Sequence, residues 1–214
     1  MIITIDGPAA SGKSTLAHHL SQELGIPYVN SGLLYRLAAL LAQEAGVRFS
    51  DGPAVAALVE RSDVELQVAP GQPNAALRDG EDVTLSLYQP DIATGASQVA
   101  VHPLVRHWVT RKLRALKSPD LIAEGRDMGS VVYPQATWKF FLTADAGERA
   151  GRRAREPGVS VGETPESLRE RDQRDSQRGT APLSVPEGAV VIDTTGLTPE
   201  EVLAQVLGAV RQRT

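Results

Sequence analysis

Eight consecutive residues constrain this chain more than any other feature: Gly7-Pro8-Ala9-Ala10-Ser11-Gly12-Lys13-Ser14 matches G-x-x-x-x-G-K-[ST] in full. The pattern carries chemistry only between a strand and a helix, where backbone N–H groups can converge on phosphate oxygens. Both neighbours are present. Ile2-Ile3-Thr4-Ile5 is a β-branched run ending in Asp6-Gly7, which reads as a buried parallel strand entering a turn. From Lys13 to about Leu24 the residues favour a helix, and Gly25 ends it. In that setting Gly7 to Thr15 is expected to cradle the phosphates of ATP. Lys13 would reach the β and γ phosphates, and the Ser14 hydroxyl would ligate Mg²⁺.

The rest of the chain has the rhythm of an α/β protein. Short apolar runs at 121–123, 138–142 and 189–192 alternate with helical segments, the pattern of a doubly wound parallel sheet covered on both faces. Two stretches break it. Between about 62 and 88, short alternating segments at 64–68, 75–78 and 82–87 are separated by Pro70-Gly71-Gln72-Pro73-Asn74 and Asp79-Gly80, which predicts a small inserted antiparallel sheet. Around 156–165, Gly and Pro cluster after Arg152, Arg153 and Arg155, which predicts a loop between two helices. We therefore expect one domain over 1–214, with an insert at about 62–96 and a lid at about 152–167.

Composition removes several function classes. With 26 acidic and 22 basic residues the formal net charge is −4, so no overall field favours a nucleic-acid polymer or an anionic membrane. Any anion must be held by locally gathered cations. The absence of cysteine excludes disulfides, thiolate metal sites and a Cys nucleophile. No apolar run approaches a membrane span, and no basic segment followed by a cleavable apolar stretch opens the chain, so a cytoplasmic protein is expected. No Asn-Lys-x-Asp motif appears, which weighs against a GTPase of the familiar type. A small-molecule kinase fits the length best.

Phosphoryl transfer depends on positioning and charge neutralisation, so arginines should ring the site. Asn30-Ser31-Gly32 opens a second helix with Arg36 about one turn in, a place where an anion can be held or where Ser31 simply caps. Glu124-Gly125-Arg126-Asp127 lies just beyond a buried strand, on the side where open α/β sheets bind ligands. Arg126 suits bidentate phosphate contact, while Asp127 can accept from an amino group or hold metal-bound water; the alternative is a surface ion pair of the two. Arg171, Arg174, Asp175 and Arg178 share one helical face, either a cationic stripe that an anionic ligand would relieve or, with Glu170 and Asp172, a solvated, salt-bridged surface. Arg152, Arg153 and Arg155 either cover the triphosphate or complement a helix end.

Taken together, 7–15, Asn30 to Arg36, Gly80-Glu81-Asp82-Val83, Ala96-Ser97-Gln98-Val99-Ala100, Glu124 to Gly129 and Arg171 to Asp175 resemble bacterial cytidylate kinases, in the same order along nearly the whole chain. The resemblance implies a five-stranded parallel core, an inserted nucleotide-binding part and a closing lid. It implies that Arg36 and Arg126 hold the acceptor phosphate, that Ser97, Arg106 and Asp127 read cytosine, and that Arg171, Asp175 and Arg178 address the sugar and its surroundings. Lys13, Arg126 and Asp127 form the expected catalytic set, with ATP and CMP or dCMP as substrates and a monomer as the working unit. Tyr88 stands where relatives often have arginine, and Asn30 where aspartate is common. The rivals are a P-loop kinase for AMP, UMP or an acceptor such as shikimate, and an ATP sensor without turnover.

Overall fold

The computed structural model describes residues 1–116, 118–155 and 165–211. In chain order, β1 (Ile2–Asp6) leads into α1 (Lys13–Leu24), β2 (Tyr28–Asn30), α2 (Gly32–Glu44) and α3 (Gly52–Arg61). A small sheet follows, of β3 (Val64–Gln67), β4 (Ala75–Arg78) and β5 (Glu81–Asp82). A 3₁₀ turn (Thr84–Tyr88), α4 (Pro90–Val99) and α5 (Pro103–Arg114) return the chain to β6 (Leu121–Gly125) and a π-helical turn (Met128–Val132). It ends with β7 (Trp138–Thr143), α6 (Ala146–Arg155), α7 (Pro165–Gln177), β8 (Val190–Asp193) and α8 (Pro199–Arg211).

Among the described residues, five parallel strands lie in the order β2-β6-β1-β7-β8, and β3-β4-β5 is antiparallel. Alternation along the buried strands feeds two cores. Ile3, Ile5, Ile122, Phe140 and Leu142 pack with Leu16 and Leu20 of α1 and Val206 of α8. Leu121, Ala123 and Val29 face the other way, onto Leu34 and Leu37 of α2 and Val105 and Trp108 of α5. Each such side chain contributes about 1.5–3 kcal/mol by leaving water, and together they fix which strand ends lie side by side.

The order places a topological switch between β1 and β6. The chain after β1 turns into α1 on one face, while the chain after β6 turns onto the other face through the π-helical turn near α5. Ligand crevices open at such a point, outside the carboxyl ends of the strands. The register pairs Asp6 with Gly125, so the loop after β1 and the Arg126-Asp127 step leave the sheet at the same level.

One expected element differs. The segment at 82–87 forms only the second residue of β5 before tightening into the 3₁₀ turn. The Asp82 carboxylate accepts the Thr84 N–H at 2.8 Å, and the Thr84 hydroxyl accepts the Ala76 N–H at 2.8 Å. These local bonds take the place of a longer ladder. The centre of the expected lid, 156–164, lies outside the described residues. Among the described residues no helix is long and apolar enough to cross a membrane.

Candidate functional site

The loop between β1 and α1 is shaped by close backbone approach. Gly7 has φ +149°, and a Cβ there would stand 2.3 Å from the Leu142 carbonyl oxygen, so no side chain fits. Ala10 adopts a left-handed φ of 55° in spite of its side chain, a strain of about 1 kcal/mol. Its neighbour Ala9 is held from both sides. The Ala9 N–H donates to Asp172 Oδ1 at 3.2 Å, and its carbonyl accepts from Arg149 Nη1 at 3.1 Å. Arg149 and Asp172 also pair with each other, so α6 and α7 brace the loop's tip. Lys13 is buried and its Nζ donates to the Pro8 carbonyl at 2.6 Å. The Ser14 hydroxyl donates to Glu124 Oε2 at 3.0 Å. Such oxygen donors suit Mg²⁺, which takes one or two protein ligands besides water and substrate phosphate.

From this loop a cavity runs to the chain beyond β6. Lys13, Arg36, Arg106, Arg126, Arg153 and Arg178 line it, against the carboxylates Glu124, Asp127 and Asp175. Six cations facing three anions concentrate positive charge in a chain whose net charge is −4. Arg126 Nε donates to Asp175 Oδ2 at 2.8 Å, and Arg36 Nη1 donates to the Leu87 carbonyl at 2.7 Å with its guanidinium over the Tyr88 ring. Deeper in, Arg106 and Asp127 form a buried, hydrogen-bonded pair, and Arg178 Nη2 stands 3.9 Å from Asp127 Oδ1. Burial, then the neighbouring Arg106, hold the Arg178 guanidinium below its ordinary range. Burial also opposes the charge on Arg106, but Tyr35 and Asp127 outweigh it and raise that group. Since burial pushes the Tyr35 hydroxyl well up, Tyr35 is neutral at pH 7 and Asp127 carries the effect there.

Three buried donors, Ser97 Oγ, Arg106 Nε and Arg178 Nη2, make no hydrogen bond among the described residues. Their residues all line the cavity. An orphaned buried donor costs about 1–3 kcal/mol, and a cluster of them marks a place where a polar ligand completes the network.

A second, more apolar pocket lies across the loop, sharing Ala10, Ser11, Gly12 and Thr15 with the first. Leu16, Leu197, Pro199 and Val202 supply its apolar wall. Arg152 closes one side, donating to the Thr194 hydroxyl at 2.9 Å and the Thr194 carbonyl at 2.7 Å.

This arrangement of phosphate loop, cavity and arginine ring has sequence relatives. The family model described as cytidylate kinase matches residues 3–212. The chain belongs to the cytidylate kinase family. It is 47% identical over 212 residues to a cytidylate kinase of Thermus thermophilus, covering 99% of each chain. It is 44% identical over 219 residues to one of Stutzerimonas stutzeri, covering 99% of this chain and 96% of that one. Among solved structures, a gluconokinase of Sinorhizobium meliloti is similar in fold alone, with a TM-score of 0.51 at 13% identity, covering 98% of this chain and 91% of that one. The protein is accordingly an enzyme, a P-loop nucleoside monophosphate kinase that transfers phosphate between nucleotides.

Within this cytidylate kinase fold, Ala9 to Thr15, Ser31, Arg36, Ser97, Arg106, Arg126, Asp127, Arg153, Asp175 and Arg178 meet around one cavity. Gly7 and Pro8 shape the loop without lining that cavity, and Arg152 faces the second pocket. The side chains of Arg155 and Arg171 lie outside the described residues. Arg174 departs from the expected stripe, since its Nε turns to the Glu170 carbonyl and it lines a separate surface hollow. Ser31 occupies the cap position of α2 without a capping bond, because Asn30 Oδ1 accepts the Gly32 N–H at 2.9 Å instead. Asp6, Arg149, Asp172 and Thr194 were not singled out by the sequence reading. Arg149 had one available signal, its offset of four from Arg153 on the same helix. Glu124, expected just beyond the strand, is instead the fourth residue of β6, paired with Ile5 of β1.

Proposed function

We propose that this enzyme transfers the γ-phosphoryl group of ATP to the phosphate of CMP and dCMP, giving ADP and the cytidine diphosphates. The observation that carries the choice of acceptor is the set of donors without a hydrogen bond on Ser97, Arg106 and Arg178, which line one cavity with Asp127. Cytosine offers an amino donor at N4 and acceptors at N3 and O2, which complement a carboxylate and hydroxyl on one side and guanidinium donors on the other. Uracil reverses donor and acceptor at two of those positions, and each mismatch in a buried site costs about 1–3 kcal/mol.

The donor belongs on the loop, with its phosphates against the main-chain N–H groups and Lys13, and its base in the apolar pocket beside Arg152. Lys13 then exchanges the Pro8 carbonyl for phosphate oxygens. Arg36 and Arg126 grip the acceptor phosphate, whose anionic oxygen attacks the γ-phosphorus while the bond to the β,γ-bridging oxygen breaks. No general base is needed, because that oxygen carries no proton to remove. Ser14 and Glu124 would hold Mg²⁺, which would supply neutralisation of the donor phosphates. Arg126 stabilises the charge of the group in flight. Asp127, committed to Arg106, serves recognition of the base rather than the phosphoryl step. The 62–96 insert supports the acceptor side through Leu87, and α6 with α7 carries the lid. Every group invoked lies in one chain, so a monomer suffices as the working unit, and the cytoplasm is its expected place.

Steady-state phosphorylation of all eight ribo- and deoxyribonucleoside monophosphates, with ATP as donor, tests this reading. CMP and dCMP should have the highest kcat/KM, with UMP well below. A higher value for AMP or UMP would overturn the acceptor assignment, and no CMP-dependent release of ADP would overturn the kinase reading itself.

A further inference from the structure

Asp6 ends β1 and immediately precedes the phosphate loop, yet none of the steps above uses it. Its side chain is fully buried, which for a carboxylate demands a reason. That reason lies across the sheet, at the π-helical turn that starts just after Asp127. The first N–H groups of any helical turn have no partner within it. Asp127 occupies the capping position, and an aspartate there ordinarily folds its own carboxylate back onto the turn. It makes no such bond. Its carboxylate faces Arg106 and Arg178 instead. Asp6 Oδ1 accepts the Met128 N–H at 2.7 Å, and Asp6 Oδ2 accepts the Gly129 N–H at 2.8 Å. The approach is close by construction, since a Cβ on Gly129 would stand 2.7 Å from Thr4 Oγ1 and 3.2 Å from Asp6 Oδ2.

We propose that Asp6 is a positioning residue that caps this turn in place of Asp127, releasing the Asp127 carboxylate to face the nucleobase and fixing it in register with the phosphate loop. The proposal rests on the assignment of Asp127 to base reading given above. Asp6 is suited to the task because both of its oxygens accept, and because it is joined directly to Gly7. Donor loop and base-reading carboxylate thus share one anchor. Asparagine would keep the shape but offer a single acceptor oxygen. One N–H of the turn would then be orphaned, and Asp127, already at the capping position, is placed to turn back and take it.

The test compares wild type, Asp6→Asn and Asp6→Ser in full-length enzyme, measuring kcat and KM for CMP, UMP and ATP. The proposal expects the ratio of kcat/KM for CMP to that for UMP to fall about tenfold in the variants, through KM for CMP, with KM for ATP near wild type. In an Asp127→Asn background, Asp6→Asn should lower the ratio little further, because both act through one carboxylate. An unchanged ratio in folded variants, with kcat reduced equally for both acceptors, would make Asp6 merely structural and overturn the proposal. So would fully additive losses. A wild-type enzyme that shows no preference for CMP would overturn the base-reading assignment, and this proposal with it. Asp6→Ser, smaller and uncharged, keeps the comparison available if Asp6→Asn does not fold. In wild type the Met128 and Gly129 amide protons should be strongly protected from exchange, and rapid exchange of both would also contradict the capping role.

Discussion

Arg126 joins the two halves of the site, since it follows Gly125 at the end of β6 and donates to Asp175 near the end of α7. If it grips the acceptor phosphate and steadies the transferred group, Arg126→Ala should lower kcat by about 10³–10⁵-fold, while circular dichroism shows a folded protein. A rate near wild type would remove it from the site. Asp6 makes a prediction of a different kind. Burial raises its pKa from 3.8 to about 6, against the Met128 and Gly129 N–H bonds and nearby Lys13, which lower it, and Asp127, which raises it further. Because the folded value lies above the unfolded one, ionising Asp6 costs stability across that window. The cost is absent below about pH 3.8, grows as pH rises to about 6 and is complete above it. Measured against Asp6→Asn, wild type should therefore gain relative stability, on the order of 3 kcal/mol, as pH falls from 7 towards 4. Thermal melts of the two proteins across that range check the sign, and a relative loss would contradict it.

At the scale of elements, the 3₁₀ turn after β5 matters because it delivers Leu87 and Tyr88 to Arg36. The Leu87 carbonyl accepts from Arg36 at 2.7 Å, and the guanidinium lies 5.4 Å from the centre of the Tyr88 ring. A cation over an exposed ring is worth about 0.5–1 kcal/mol. Tyr88→Ala should accordingly raise KM for CMP roughly two- to fivefold with kcat little changed, whereas Tyr88→Phe should keep the wild-type value. Equal effects of both substitutions would assign the role to the hydroxyl instead. The same turn shows where sequence reading stops. The segment at 82–87 alternates like a strand, but the Asp82 and Thr84 side chains satisfy the backbone locally and end the ladder after two residues. By contrast, the phosphate loop and the Glu124-Gly125-Arg126-Asp127 step were legible, because each is a short pattern at the end of a β-branched or apolar run. The contacts that tune them were not. Asp6 and Met128 are 122 residues apart, and Arg149 and Ala9 are 140 apart, so neither pair leaves a local signature.

At the scale of the whole molecule, the strand order decides that the phosphate loop and the Arg126-Asp127 step leave the sheet side by side. The net negative chain then gathers positive charge in the crevice between them. Pockets on both sides of one loop, one ringed by arginine and one apolar, suit two nucleotides meeting end to end. Binding both across that loop, as proposed, would turn a bimolecular transfer into an effectively unimolecular one and contribute as much as about 7–11 kcal/mol to lowering the barrier. The most direct measurement of that claim is inhibition by a single molecule carrying adenosine and cytidine at the two ends of a five-phosphate chain. Competitive inhibition against both ATP and CMP is expected, with an affinity above that of either nucleotide alone and lost in Arg126→Ala. Competition against only one substrate, or simultaneous binding of the inhibitor and CMP, would contradict a shared cavity.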